Sequence, residues 1–249
     1  MTVLTNNISG LRLPLITPFR DDELHEVSVS RLVKHYAELR IDGLLLAATI
    51  GEGLTLNAQE TRRLVFTAAQ ANNHLPLYLD VSGSDTRKLV SALHDSCEWP
   101  IDGYLVACLC YSRPSQEGIC QHISALSTAT ERPIVMYNIP YRTAVNMGNE
   151  TLLRLAAHHN IISLKDCCAD PAQSFELMQL RSPDFAVLSA EDAMFLAALY
   201  QGADGGIAGQ RTCCNSCFQI RARGHVVQQP DACTAPLGYA LCATEVVVH

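Results

Sequence analysis

Apolar residues in this chain gather in short runs with little alternation, separated by longer stretches in which they recur every three to four positions. The runs are Leu11–Ile16, Gly43–Ala48, Leu75–Val81, Gly103–Cys108, Ile134–Tyr137, Ile161–Leu164, Phe185–Leu188 and Gly206–Ala208. Runs of Leu, Ile and Val without a polar face predict parallel strands covered on both sides. The stretches between them, Val29–Arg40, Ala58–Asn72, Thr86–Cys97, Ser115–Thr130, Asn149–His158, Pro171–Arg181 and Glu191–Gln201, carry the helical period. Capping residues stand at helix starts, Ser28 before the first and Asn57 before the second, with Glu60 at the spacing of a capping box.

Strands that alternate with helices predict an α/β fold, and this rhythm is that of a (β/α)8 TIM barrel occupying residues 1–212. A doubly wound open sheet would require a glycine-rich phosphate turn after the first strand. The segment Leu15-Ile16-Thr17-Pro18-Phe19 is no such turn. After Gly209 the pattern deteriorates: Cys213–Gly224 can make one helix, and no amphipathic period runs from His225 to His249. Residues 213–249 are therefore expected to form an atypical or truncated C-terminal segment.

The chain has 249 residues, of which 48% are hydrophobic and 17% charged, and a formal net charge of −7. The acidic balance argues against nucleic acid and offers no basic face to a membrane. No apolar run approaches the roughly 20 residues a bilayer requires, and no basic segment precedes an apolar core at the N-terminus. The expected compartment is the cytoplasm. The 11 cysteines are scattered, as free thiols would be in a reducing compartment. Cys213-Cys214-x-x-Cys217 resembles half of a zinc site, yet no second pair follows it. His35, His74, His94, His122, His158 and His159 fall on predicted helices or their flanking turns, away from strand ends. No metal and no cofactor is expected.

Chemistry collects where strands end. Lys165 closes the run Ile161–Leu164, Tyr137 closes the preceding one, and Thr49-Ile50-Gly51-Glu52 follows Gly43–Ala48. In a parallel barrel these are positions on the catalytic face. Apolar surroundings disfavour an ammonium, so Lys165 is expected to present a neutral amine able to form an imine with a ketone. Pairing with the adjacent Asp166 is the competing role for that lysine. Tyr137, on the neighbouring strand, can pass protons to the carbinolamine oxygen. Backbone N–H groups in the turn around Gly51 can hold a carboxylate, and Arg142 can hold a second one bidentately. Tyr111 sits in the loop after the fourth strand, turned either into the site or against a neighbouring subunit.

Together these segments resemble the dihydrodipicolinate synthase / N-acetylneuraminate lyase family of pyruvate-dependent Schiff-base lyases. The resemblance is carried by Leu15 to Phe19 (LITPF), Gly51-Glu52 with Thr55-Leu56, Tyr111 to Gly118 (YSRPSQEG), Tyr137 to Thr143 (YNIPYRT), Ser163 to Asp166 (SLKD) and Gly205-Gly206-Ile207. It implies that Lys165 forms the imine with pyruvate or another 2-keto acid, and that Tyr137 is the general acid/base. It further implies that Thr49 and Tyr111 complete a proton relay, with Tyr111 reaching into the site of a neighbouring subunit. Arg142 would bind the carboxylate of the aldehyde partner, Ile50 and Gly51 the pyruvate carboxylate through backbone N–H groups, and Ile207 would line the pocket by its backbone. Partners would be a small 2-keto acid, an aldehyde and further copies of the chain, as a dimer or tetramer.

Arg142-Thr143 favours the dihydrodipicolinate synthase branch, which condenses pyruvate with aspartate semialdehyde. Ile50 stands where that branch has a second threonine, Cys110 where a tyrosine precedes Tyr111, and Ala48 where a glycine precedes Thr49. These departures fit a relative with another aldehyde, such as a 2-keto-3-deoxy sugar-acid aldolase, or a binding protein whose site has drifted from catalysis.

Overall fold

A computed structural model describes residues 8–39, 41–207 and 209, and the backbone of residues 219–221 and 225–227. Eight parallel strands close into a barrel: β1 (Gly10–Pro14), β2 (Gly43–Leu46), β3 (Leu77–Asp80), β4 (Gly103–Ala107), β5 (Ile134–Asn138), β6 (Ile161–Asp166), β7 (Ala186–Ser189) and β8 (Gly205–Ile207). Each strand pairs with its successor, and β8 returns to β1 through Gly10–Gly205, Leu11–Gly206 and Arg12–Ile207.

The helices run α1 (Glu26–Glu38), α2 (Ala58–Ala71), α3 (Thr86–Asp95), α4 (Gln116–Thr128), α5 (Asn149–Leu155), α6 (Pro171–Leu180) and α7 (Phe195–Tyr200). The eight predicted strands and the seven predicted helices between them are all recovered within the described residues, most of them shorter at one or both ends. Strand β2 stops at Leu46 because Ala47 takes a left-handed backbone with φ 52°. The last predicted helix is divided, its first turn being a 3-10 turn over Asp192–Met194.

Asn57 caps α2 as the sequence predicts. Its side chain accepts from the Gln59 and Glu60 N–H groups, and Glu60 accepts from the Asn57 N–H at 2.8 Å. Ser28 does not cap α1: the helix begins two residues earlier, after His25, whose Nδ1 lies 2.7 Å from the Ser28 hydroxyl. Within Cys213–Gly224, a stretch that can make one helix by sequence, the described residues Gln219–Arg221 are instead a strand paired antiparallel with His225–Val227. The cluster Cys213, Cys214 and Cys217 and the rest of the predicted C-terminal segment lie outside the described residues.

The strand pleat divides the core in two. Leu13, Leu44, Leu79, Val106, Met136, Leu164 and Val187 face outward and meet the helices. Leu45, Tyr78, Leu105, Val135, Ala186 and Leu188 fill the barrel. At the N-terminal end of the barrel Arg12 is drawn into that interior, its guanidinium 5.2 Å from the Tyr78 ring centre. It occupies the space above Gly43, where a β-carbon would stand 2.2 Å from Nη1. Burial lowers the Arg12 pKa against the pull of Tyr78, Asp42 and Asp102.

Closure depends on a pair of glycines. A β-carbon on Gly205 would lie 2.0 Å from the Gly10 carbonyl oxygen, a backbone atom that cannot move aside. Gly205→Ala is expected to lower stability by about 2 kcal/mol or more, the scale of an overpacked core. Urea unfolding followed by circular dichroism checks this through the transition midpoint.

Candidate active site

Strand register sets the site. Tyr137 and Lys165 are direct partners across β5 and β6, with Asn138 and Asp166 beside them one residue further on. Both Tyr137 and Lys165 point into the barrel, and the Lys165 Nζ lies 3.8 Å from the centre of the Tyr137 ring. The lysine is only 5% exposed. Burial lowers its pKa, and the positive charge of Arg142 acts in the same sense, while Cys167 and Asp80 oppose it. A deprotonated amine therefore becomes accessible below the usual lysine range.

The Tyr137 phenol is pushed in the other direction, upward, chiefly by burial and then by Cys167, with the hydrogen bond to the Thr49 hydroxyl opposing. It stays protonated, a donor beside an amine. Thr49 opens a 3-10 turn, Thr49–Gly51, that follows β2 and ends at Glu52 in a left-handed conformation. Gly51 is packed beneath this turn: the Thr17 hydroxyl donates to its carbonyl at 2.6 Å, and a β-carbon would meet the Leu15 carbonyl at 2.6 Å.

A cavity of about 670 Å³ opens over the lysine. Its walls include Thr49, Ile50, Tyr137, Arg142, Lys165 and Ile207 among the residues singled out in the sequence. Gly51 shapes the turn without lining the cavity. Tyr111 also stands apart, 95% exposed, with φ 69°. Arg142 is carried by the one-turn helix Pro140–Thr143, which Thr143 holds by donating to the Ile139 and Val145 carbonyls, each at 3.0 Å. Arg142 forms no ion pair among the described residues.

Asp166 does not pair with Lys165. The pleat turns it to the opposite side, where its carboxylate accepts from Asn138 Nδ2 at 3.1 Å, the Cys168 N–H at 3.1 Å and the Ser174 hydroxyl at 3.2 Å. Asn138 extends this network: it accepts the Met147 N–H at 3.1 Å and donates to Asn146 at 2.8 Å. The loop that carries Arg142 is thereby fastened to the strand that carries Lys165.

Three residues of the site were not assigned from sequence. Cys167 lies two positions after Lys165, on the same side of the chain. It is 2% exposed and lines the cavity, and its thiol donates to the Ala190 carbonyl at 3.3 Å. Tyr141 lines the cavity as well, and its phenol is pushed up to about 12, first by burial and then by Cys167. Asp80 ends β3 inside the barrel, and burial raises its carboxyl to about 6 against the Ser82 hydroxyl and Lys165. The two-residue spacing from Lys165 was the available signal for Cys167, and the apolar-acid boundary at Leu79-Asp80 the one for Asp80. Among the described residues no group of three or more His, Cys, Asp or Glu is arranged to hold a metal, and no helix is long and apolar enough to cross a membrane.

The family model described as "Dihydrodipicolinate synthetase family" matches residues 7–216. The chain belongs to this family. Within the dihydrodipicolinate synthetases it is 38% identical over 201 residues to 4-hydroxy-tetrahydrodipicolinate synthase 2 of Clostridium acetobutylicum, covering 80% of this chain and 70% of that one. The 4-hydroxy-tetrahydrodipicolinate synthase of Persephonella marina is 34% identical over 201 residues, covering 80% and 69%. Among solved structures, the synthase of Methylacidiphilum fumariolicum superposes with a TM-score of 0.81 at 29% identity, covering 84% of this chain and 70% of that one. A dihydrodipicolinate synthase variant characterised as monomeric superposes with a TM-score of 0.80 at 30% identity, covering 82% and 70%.

The clamp behind the site makes a prediction for this chain. Asn138 is fully buried, and Asn138→Ala leaves the Met147 N–H without its partner and takes one of two donors from Asp166 Oδ1. Stability is expected to fall by about 2 kcal/mol, the scale of a buried polar group left unpaired. Chemical denaturation of the two proteins measures the difference.

Proposed function

We propose that this chain joins pyruvate to an aldehyde through an imine on Lys165, with aspartate semialdehyde as the aldehyde and the product of a dihydrodipicolinate synthase. One observation carries the reading: a buried amine of lowered pKa stands 3.8 Å from the ring of a phenol that remains protonated, under a cavity open to small molecules. The neutral Lys165 amine attacks the ketone carbon of pyruvate. Tyr137 supplies a proton to the oxygen, which departs as water, and later receives the proton released from C3. Thr49, bonded to Tyr137, passes that proton onward.

The Ile50 and Gly51 backbone N–H groups take the pyruvate carboxylate, and Ile207 lines the pocket beside it. Arg142, at the cavity wall and without an ion pair among the described residues, is suited to the carboxylate of the aldehyde. Tyr111 completes the relay in a second copy of the chain. Its 95% exposure and left-handed backbone support a side chain held outward for a partner, in a homodimer or homotetramer. The barrel over residues 1–212 is the catalytic unit, 213–249 an atypical appendage, and the cytoplasm its compartment.

Ile50 favours a second reading for the aldehyde alone. Its side chain is 39% exposed and lines the cavity, an apolar group where a carboxylate-binding hydroxyl would suit the synthase reaction better. The hydroxyaldehyde released from a 2-keto-3-deoxy sugar acid would present hydroxyl groups there in place of the amino-acid charges of aspartate semialdehyde. Turnover with a panel of aldehydes separates the two.

Borohydride reduction in the presence of pyruvate is expected to add a stable mass to the peptide containing Lys165, and Lys165→Ala to abolish it. Tyr137→Phe is expected to lower kcat about 100-fold or more, the scale of a lost proton-transfer group. Peptide mass spectrometry of folded protein that shows no addition at Lys165 rules out the imine mechanism and leaves a binding protein.

A further inference from the structure

Beneath the floor of the cavity lies a carboxyl group that the mechanism above does not use. Asp80 ends β3. Along that strand Leu77 and Leu79 face the helices and Tyr78 faces the barrel interior, so the pleat turns Asp80 inward. The side chain is held in place: the Ser82 hydroxyl donates to Oδ1, and Ser82 Oγ in turn accepts the Ala107 N–H at 3.0 Å. Ala107 is the register partner of Tyr137, and Tyr137 of Lys165. Asp80 is paired with Leu105, one inward position below Ala107. The carboxyl therefore rises from the layer directly under the Tyr137–Lys165 pair and does not line the cavity.

The charges around the two groups divide simply. Arg142, Cys167 and Asp80 act on Lys165, with Tyr137 packed against it; Lys165, Cys110 and Tyr137 surround Asp80. Arg142 opposes positive charge on the lysine nitrogen, and Asp80 is the carboxylate that favours it. We propose that the Asp80 carboxylate is the counter-ion for the positive charge on the Lys165 nitrogen, and so a positioning residue for formation of the 2-keto-acid imine. The proposal rests on the Schiff-base reading. When the amine attacks the ketone, a nitrogen–carbon bond forms. The carbonyl oxygen leaves as water with one hydrogen from nitrogen and one added proton, and the nitrogen keeps its remaining hydrogen as an iminium. Amine plus proton and iminium carry the same single positive charge, so one buried carboxylate serves both stages. It stabilises the iminium, the state that draws electrons from C3, without touching the substrate.

The test is the pH dependence of borohydride trapping with pyruvate, followed on the Lys165 peptide. Above about pH 6 Asp80 is ionised and raises the Lys165 pKa. Asp80→Asn removes that charge, so the acid limb of the trapping rate is expected to move down by about one pH unit, the scale of a near charge. The fraction trapped at saturating pyruvate is expected to fall. Asp80→Glu should restore the wild-type limb. Ser82→Ala keeps the carboxyl but removes its donor, so Asp80 stays protonated to higher pH and the limb moves in the same direction by less. That variant decides the matter should Asp80→Asn fail to fold. A residue that merely braces Ala107 would change stability and leave the limb where it is. Coincident limbs in wild type and the folded variants overturn the proposal while leaving the imine mechanism standing. Absence of trapping in the wild type overturns both.

Discussion

The strand pleat inside a closed parallel barrel is the constraint on which the rest of this molecule depends. Closure through Gly10 and Gly205 leaves alternate side chains of every strand nowhere to go but inward. Most of them are apolar, so the interior is a poor solvent for charge. A lysine placed there by register loses the hydration that ordinarily holds it protonated, and its pKa falls. The burial of Lys165 and its lowered pKa are consequences of where β6 ends and of which side of the strand it occupies.

The same pleat gives neighbouring residues different work. Lys165 faces the interior, and Asp166, the next residue, faces the seam between barrel and helices, where four donors saturate it: Asn138, the Cys168 N–H and thiol, and Ser174. A carboxylate satisfied in this way is not available to neutralise the lysine beside it. It fixes the strand end instead, and through Asn138 it ties the Arg142 loop to the lysine strand. Burial of a polar network is stabilising only when its members are paired, and the groups of Asn138 and Asp166 that meet here are.

Much of this was legible in the sequence. Strand runs without a polar face announced a buried parallel sheet, and Lys165, Tyr137 and Thr49 at the ends of such runs announced a shared site. Helix boundaries were less so. Ser28 has the chemistry of a cap, but a short hairpin of Phe19–Arg20 with Glu23–Leu24 ends early enough for α1 to begin at Glu26. Asp166 looked like a partner for Lys165 because adjacency in sequence was visible and the pleat was not yet placed. Cys167 and Asp80 were missed for a related reason. A thiol or an acid at a strand end has no distinguishing pattern until closure brings strands distant in sequence to one centre. Gly51 carried a binding role in the sequence reading, yet packing against Leu15 and Thr17 explains its lack of a side chain.

The two faces of the barrel differ in how they tolerate left-handed backbone. Gly10, Gly43 and Gly202, the described glycines of positive φ, all lie on the side where helices lead into strands. There the sequence relieves the geometry with a residue that adopts it without cost. The non-glycine residues of positive φ among those described are Asp21, Asp22, Ala47, Glu52, Tyr111, Arg113, Ala144 and Ala169, and every one lies in a loop leading from a strand to a helix. Each costs on the order of 1 kcal/mol or more. Two of them flank the Thr49 turn, one follows Arg142, and one is Tyr111 itself. Strain is thus retained on the face that carries the lysine and relieved on the opposite one. Glycine in these loops would lower the strain, but it would also free the backbone that sets the direction of Thr49, Arg142 and Tyr111. The barrel closed beneath them supplies the stability that lets these loops stay strained and in place.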